Sequence, residues 1–77
     1  MPITTIRWRI FTLLQGKRYY ANRCSNTPPP SVEWHTFEQE YPDHFTIEET
    51  TDIRAHYSDQ QTFAEPIQIV EEEEDYG

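Results

Sequence analysis

The chain has 77 residues, of which 35% are hydrophobic and 14% aromatic, and its formal net charge at neutral pH is −8. This length corresponds to one small domain, and no segment contains the run of about 20 apolar residues that crosses a bilayer. The single cysteine, Cys24, excludes an intrachain disulfide and fits a reducing compartment. We therefore expect a cytoplasmic protein, located in the host cytoplasm if a phage encodes it.

The charges are sorted along the chain. Residues 1–23 contain five of the six basic residues and no acid, and all fourteen acids follow them. A net negative charge repels nucleic acid and anionic membranes at long range and favours basic partners. We expect the acidic remainder to neutralise the basic segment in part and to leave a strongly negative outer surface.

A β-hairpin is predicted at the start of the chain. In residues 3–14, β-branched and aromatic residues alternate with period two, which is typical of a strand. Gln15 and Gly16 supply a two-residue turn, and residues 17–24 form the returning strand. The predicted cross-strand pairs on the core side are Leu14 with Lys17, Thr12 with Tyr19, Ile10 with Ala21, and Trp8 with Arg23.

The one predicted helix spans residues 31–41. The three prolines of the preceding connector, residues 25–30, exclude a helix there. Ser31 is a suitable N-cap, and the aromatic residues 34, 37 and 41 recur at i, i+3 and i+7 along one helical stripe. Pro42 disfavours the helical conformation at the residue before it and so ends the helix.

The second half of the chain predicts further strands. Residues 45–57 alternate again and indicate one bent strand or two short strands, with residues 48–52 as the bend or turn. Thr46 and Glu49 also have the spacing of a capping box, so a short helix is the alternative. A last strand is predicted over residues 62–70, where a proline at position 66 indicates a sheet edge or a bulge.

Together these elements predict an α+β protein with a small antiparallel sheet, in the chain order β-β-α-β-β, and one helix packed on one face. The predicted domain spans residues 1–70. Residues 71–77 are predicted to be an acidic, mobile tail.

No residue pattern indicates catalysis. The histidines His35, His44 and His56 match no compact metal-ligand spacing. The two glycines are too far apart to form a phosphate-binding loop. The adjacent carboxylates Glu48 and Glu49 would point in opposite directions on a strand, which suits shared acid–base chemistry poorly. We therefore expect no enzymatic activity, no cofactor and no metal site.

Two surfaces are candidate binding sites. The first is acidic and could imitate duplex DNA, which presents one negative charge per about 1.7 Å of helix axis. Its predicted residues are Glu33, Glu38, Glu40, Asp43, Glu48, Glu49 and Asp52. The second is the other face of the hairpin, where aromatic residues between arginines resemble surfaces that stack bases and hold phosphates. Its predicted residues are Arg7, Arg9, Phe11, Arg18 and Tyr20.

The sequence thus predicts a non-enzymatic acidic binding or inhibitor protein that docks on a basic surface of a larger, nucleic-acid-handling protein. In size and composition, though in no motif, the chain is similar to small phage and mobile-element inhibitors, including DNA mimics and anti-CRISPR proteins. This resemblance implies an anti-defence role. Two alternatives stay open: a single-strand nucleic-acid-binding protein with an autoinhibitory acidic tail, and a structural subunit of a larger assembly, including a homodimer. No membrane partner is expected.

Overall fold

The computed structural model describes residues 2–72, which form a four-stranded antiparallel sheet and one α-helix. The elements in chain order are β1 (Pro2–Leu14), β2 (Lys17–Arg23), β3 (Val32–His35), α1 (Ile47–His56) and β4 (Thr62–Glu72). The strands lie in the order β3-β2-β1-β4 across the sheet. The α+β class and the antiparallel sheet are confirmed. The helix, however, follows the third strand instead of the second.

The turn of the β1–β2 hairpin is the predicted one. Gln15 and Gly16 both have positive φ angles, 53° and 78°, and such turns match the right-handed twist of the flanking strands. Gly16 adopts this conformation without steric cost because it has no Cβ. The predicted register is confirmed from Leu14 opposite Lys17 as far as Thr12 opposite Tyr19.

The outer end of the hairpin differs from the prediction. Trp8 forms a bridge with Phe45 instead of facing Arg23. The Trp8 amide donates to the Phe45 carbonyl at 2.9 Å, and the Phe45 amide donates to the Trp8 carbonyl at 2.8 Å. Arg23 pairs with Val32 of β3. The Phe45 ring is fully buried in the core, and the bridge between Phe45 and Trp8 holds its backbone beside β1.

The prediction of a helix over residues 31–41 is wrong. Val32–His35 is a strand that pairs with β2, and a single turn follows it. The predicted aromatic stripe is divided: Trp34 packs against the core, whereas Phe37 packs edge-on against Tyr20. A strand followed by a turn places these two rings on opposite sides of the sheet, but a helix would hold them on one side.

Helix α1 forms at the capping box, which the sequence offered only as an alternative. The Glu49 amide donates to Thr46 Oγ1 at 3.2 Å, and the Thr46 amide donates to the Glu49 carboxylate at 3.1 Å. Residues 48–52, predicted to be a bend or turn, therefore belong to the helix. The buried residues of α1 are Thr50 and Ile53. Because one of them is polar, the hydrophobic pattern did not reveal the helical period.

The core lies on one side of the sheet. It consists of Ile10, Ala21, Val32, Phe45 and Ile53, with Trp34 and Tyr57 packed against it. The Tyr57 hydroxyl accepts from the Val32 amide at 3.1 Å and donates to the Val32 carbonyl at 3.2 Å. A small domain has few buried side chains, so each supplies a large share of a marginal stability.

β1 and β4 extend beyond the other strands as a two-stranded ribbon. Their pairing runs without interruption from Thr12–Thr62 to Pro2–Glu72, and the molecule measures 51 × 24 × 23 Å. β4 is an edge strand, as the proline at position 66 indicated. Among the described residues, no helix has the length and apolar composition that a membrane-spanning segment requires.

The predicted acidic tail overlaps β4. Glu71 and Glu72 are the last residues of that strand, and the other tail residues lie outside the described part of the chain. The division into a domain of residues 1–70 and a mobile tail of residues 71–77 stays a prediction.

Candidate protein-binding surfaces

On the side of the sheet opposite the core, aromatic and arginine side chains form a second cluster, here called the aromatic–arginine face. Its ring centroids are separated by 5.2 Å for Phe63 and Phe11, 5.5 Å for Phe11 and Tyr20, 6.1 Å for Tyr20 and Phe37, and 5.3 Å for Phe37 and Tyr41. The Arg9 guanidinium donates to the Tyr41 hydroxyl at 2.8 Å. The Arg18 guanidinium carbon lies 4.5 Å from the centre of the Phe11 ring, at cation–π distance.

Four of the five residues predicted for nucleic-acid binding belong to this face, namely Arg9, Phe11, Arg18 and Tyr20. Arg7 lies on the same side further along β1, because alternate residues of a strand share a side. The two rings are largely covered, since Phe11 is only 9% and Tyr20 only 8% exposed. Base stacking requires an open ring face. Here Arg18 lies over Phe11, and Phe37 packs against Tyr20.

Arg23 neutralises part of the predicted acidic surface. Its guanidinium donates to both carboxylate oxygens of Glu49, at 3.0 and 3.2 Å, and to the His44 carbonyl at 3.0 Å. Its backbone amide donates to the Asp43 carboxylate at 2.7 Å. The guanidinium carbon also lies 4.6 Å from the centre of the buried Phe45 ring. These contacts tie the segment before α1 to the end of β2.

The same contacts change the acidity of Glu49. The hydrogen bonds from Arg23, assisted by the bond from the Thr46 amide, lower the pKa of Glu49 from 4.5 to about 2. Glu49 is therefore ionised and paired at neutral pH. Asp43 and Glu49 stabilise the fold, and their carboxylates are already engaged by Arg23. A second pair across the chain, Arg18 with Glu65 at 3.9 Å, shows the expected partial neutralisation of the basic segment.

The other five predicted acidic residues are exposed and occupy two places. Glu33, Glu38 and Glu40 lie on β3 and the turn after it, here called the turn group. Glu48 and Asp52 lie on α1 and are called the helix group. Phe37 of the turn contacts the aromatic–arginine face, whereas Ile53 of α1 belongs to the core. The elements that carry the two groups therefore contact opposite sides of the sheet.

The ribbon of residues 2–7 and 67–72 carries exposed apolar side chains that the sequence analysis did not single out. Ile3 and Ile6 are each 48% exposed and Val70 is 60% exposed. The sequence carries a signal for this surface, because residues 2–6 are β-branched or proline and have no charge. The same composition also fits ordinary strand propensity, so it does not by itself indicate a surface.

Residues 2–72 contain no group of three or more histidine, cysteine or acidic side chains placed to hold a metal ion. A shallow groove of about 400 Å³ lies at the closed end of the hairpin, and its lining contains no carboxylate, histidine or cysteine. Its lining residues are Thr12, Leu13, Leu14, Tyr19, Trp34, Gln60 and Gln61.

Comparison of the chain with protein-family models, with curated proteins and with solved structures finds no match. The candidate surfaces are therefore judged by their own geometry and charge.

Proposed function

We propose that this chain is a non-enzymatic acidic binding protein that docks on a basic surface of a larger, nucleic-acid-handling protein. One observation carries the proposal: the arginine guanidinium groups have hydrogen-bond partners within the chain, whereas several exposed carboxylates have none among the described residues. All five arginine guanidinium groups have a hydrogen bond inside the molecule, namely those of Arg7, Arg9, Arg18, Arg23 and Arg54. The exposed acids without a charged partner among the described residues include Glu38, Glu40, Glu48 and Asp52.

These contacts leave the net charge at −8, because hydrogen bonds to neutral groups keep an arginine charged and each ion pair engages one acid together with one base. The outward field is therefore negative, and it is most negative where unpaired carboxylates lie together. A negative surface steers a basic partner into contact and raises the association rate. A groove that normally binds nucleic acid carries basic side chains spaced for phosphates. Carboxylates held on a short helix or on a strand and its turn can occupy such positions without flexible loops.

The test begins with identification of the partner. The full chain is immobilised and exposed to nuclease-treated lysate of its source organism at about 50 mM salt, where charges are weakly screened, and at about 500 mM salt, where they are strongly screened. We expect a nucleic-acid-handling protein that is retained at low salt and released at high salt. Equal retention at both salt concentrations would contradict an electrostatic docking surface.

Two double variants then locate the docking surface. One changes the turn group by Glu38→Gln with Glu40→Gln, and the other changes the helix group by Glu48→Gln with Asp52→Asn. Each removes two charges and leaves Asp43 and Glu49 intact, so each is the control for the other. We expect one variant to bind the purified partner at least tenfold more weakly, while both variants still unfold cooperatively and within a few degrees of wild type. Wild-type affinity in both variants would refute the proposal.

Competition with duplex DNA tests the mimicry. If the partner uses its nucleic-acid groove, added DNA should displace the chain in proportion to its own affinity. Direct binding of single-stranded oligonucleotides by the wild-type chain at low salt would instead favour the nucleic-acid-binding alternative. The buried Phe11 and Tyr20 rings argue against stacking at those two positions, whereas Phe37 and Tyr41 of the same face are 49% and 66% exposed. The anti-defence role is a narrower proposal that rests on the resemblance in size and composition.

A further inference from the structure

The edge of β1 that faces away from β4 is open at its N-terminal end. In an antiparallel sheet, successive residues direct their peptide groups alternately to the two sides of a strand. Trp8 directs its amide and carbonyl towards Phe45, away from β4. Thr4 and Ile6 therefore also direct theirs away from β4, and no strand of the described chain pairs with them. The Arg7 guanidinium donates to the Ile6 carbonyl there, over 3.3 Å at an exposed position.

The two edges of the ribbon are protected to different degrees. Natural edge strands avoid further pairing by means of proline, charged side chains or bulges. The free edge of β4 carries Pro66 within the strand and Glu71 and Glu72 at its end. By contrast, β1 has no charge over residues 2–6 and no proline after Pro2. The edge of β1 is the one suited to accept another strand.

The side chains beside this edge also lack cover. Ile3, Ile6 and Val70 are about half exposed or more. A two-stranded ribbon is only marginally stable by itself in water, whereas three or more strands with apolar neighbours are stable. Strand addition at β1 would therefore stabilise the ribbon and reduce the exposure of Ile3 and Ile6.

We infer that the added strand is β1 of a second copy of this chain, paired antiparallel about a two-fold axis. The peptide groups of Thr4 in one copy form hydrogen bonds with those of Ile6 in the other copy, and the two-fold axis repeats this pair. Thr5 of one copy then lies opposite Thr5 of the other. The resulting four-stranded ribbon has the order β4-β1-β1-β4. Phe45 occupies the edge at Trp8, so the pairing cannot extend beyond Arg7. The open edge thus limits the register to pairings within residues 2–7, and the charge contacts described next favour Thr5 opposite Thr5.

Charge complementarity supports a second copy over an unrelated strand. In this register Arg7 of one copy lies opposite Ile3 of the other, and Ile3 pairs with Glu71 within its own chain. Arg7 and Glu71 of different copies are then two strand spacings, about 10 Å, apart on the same side of the sheet, a distance that their two side chains can span. Within one chain, Arg7 pairs with Ile67, and Glu71 lies four residues, about 13 Å, further along β4.

The dimer explains how a chain of charge −8 can associate with itself. β1 is the strand that carries Arg7 and Arg9 and no acid, so pairing at its edge joins the least acidic parts of two chains. The interface is small, since five residues of each chain pair, and we expect a dissociation constant in the micromolar range.

Sedimentation equilibrium of the full chain tests the inference. Protein concentrations extend to about 500 µM, well above the expected micromolar dissociation constant. A reducing agent prevents crosslinks through Cys24. We expect a mass of twice the 9.3 kDa chain. Thr4→Pro removes an outward amide from the β1 edge and should weaken the dimer at least tenfold. Val70→Pro is the matched control, because Val70 lies directly opposite Thr4 and directs its amide to the β4 edge. A monomeric wild type, or a dimer sensitive to Val70→Pro alone, would overturn the inference.

A charge exchange tests the register without altering the backbone. A dimer with a two-fold axis contains two contacts between position 7 of one copy and position 71 of the other. Arg7→Glu alone makes both contacts acidic and Glu71→Arg alone makes both basic, so each variant should associate more weakly than wild type. An equimolar mixture of the two variants forms a heterodimer in which both contacts are opposite in charge, and it should associate as tightly as wild type. A mixture no tighter than its components would show that the register is wrong. Neither experiment involves the acidic docking groups, so its outcome is independent of the proposed function.

Discussion

Replacing Glu49 by glutamine isolates the ion pair that ties α1 to the end of β2. The Glu49 carboxylate accepts two hydrogen bonds from Arg23, at 3.0 and 3.2 Å, and one from the Thr46 amide at 3.1 Å. A glutamine side chain keeps one oxygen for the Thr46 amide, so the helix cap is retained. It loses the charge that pairs with Arg23. We therefore expect a lower free energy of unfolding with the fold preserved.

The expected loss can be bounded from the structure. A pKa of about 2 in place of 4.5 sets an upper limit of about 3 kcal/mol on the stabilisation. The two side chains are 44% and 31% exposed, for Arg23 and Glu49 respectively, and water weakens an ion pair that it can reach. We expect Glu49→Gln to cost about 1 kcal/mol. Glu48→Gln in the same helical turn is the control, and it should cost about 0.5 kcal/mol through the helix dipole alone.

The effect should depend on pH in a defined direction. The folded pKa of Glu49 lies below its usual value, so its charge stabilises the fold at pH values above about 4.5, and this contribution is lost as the pH falls towards 2. The difference between wild type and Glu49→Gln should therefore be largest at neutral pH and vanish near pH 2.

Urea unfolding, followed by the fluorescence of Trp8 and Trp34, measures these differences at both pH values. An undiminished difference near pH 2 would refute the assignment of the effect to the Glu49 charge. An equal loss in Glu48→Gln at neutral pH would show that the Arg23 pair contributes nothing beyond the helix dipole.

Two further predictions concern the core and the hairpin. Ile53 is fully buried, so Ile53→Ala should lower the free energy of unfolding by about 2–4 kcal/mol in a urea titration. Ile47 is 52% exposed and serves as the control, because Ile47→Ala should change the free energy of unfolding by less than about 1 kcal/mol. Equal effects would contradict the packing of α1. Gln15 has a positive φ of 53°, and Asn adopts this conformation more readily, so Gln15→Asn should raise the unfolding free energy by about 0.5 kcal/mol. A decrease would contradict the turn assignment.

The success of the hairpin prediction and the failure of the helix prediction have one physical explanation. The hairpin depends on neighbouring residues, because a two-residue turn at Gln15 and Gly16 sets the register of both strands. The segment of residues 31–41 has helix-like spacing, but Trp34 and Phe37 are needed on different sides of the sheet. Contacts distant in sequence therefore override the local pattern there.

The candidate surfaces show the same division. The exposure of Glu38, Glu40, Glu48 and Asp52 follows from composition, since charged side chains of a small domain stay in water. The role of Glu49 could not be predicted from composition, because its partner Arg23 is 26 positions away. Nor could the sequence indicate that Phe37 packs against the Tyr20 ring.

By itself, the sequence determined the antiparallel α+β class, the hairpin with its turn and the register next to that turn, and the excess of acid, because each depends on local periodicity, turn chemistry or residue counts. For β4 it indicated a sheet edge or a bulge. Only the tertiary structure decided where the helix begins, which acidic groups are neutralised, which rings are covered and which strand edge is open. These properties depend on which distant segments share one small core. Phe45 shows this directly: its ring is buried, its backbone pairs with Trp8, and the open edge of β1 begins where that pairing ends.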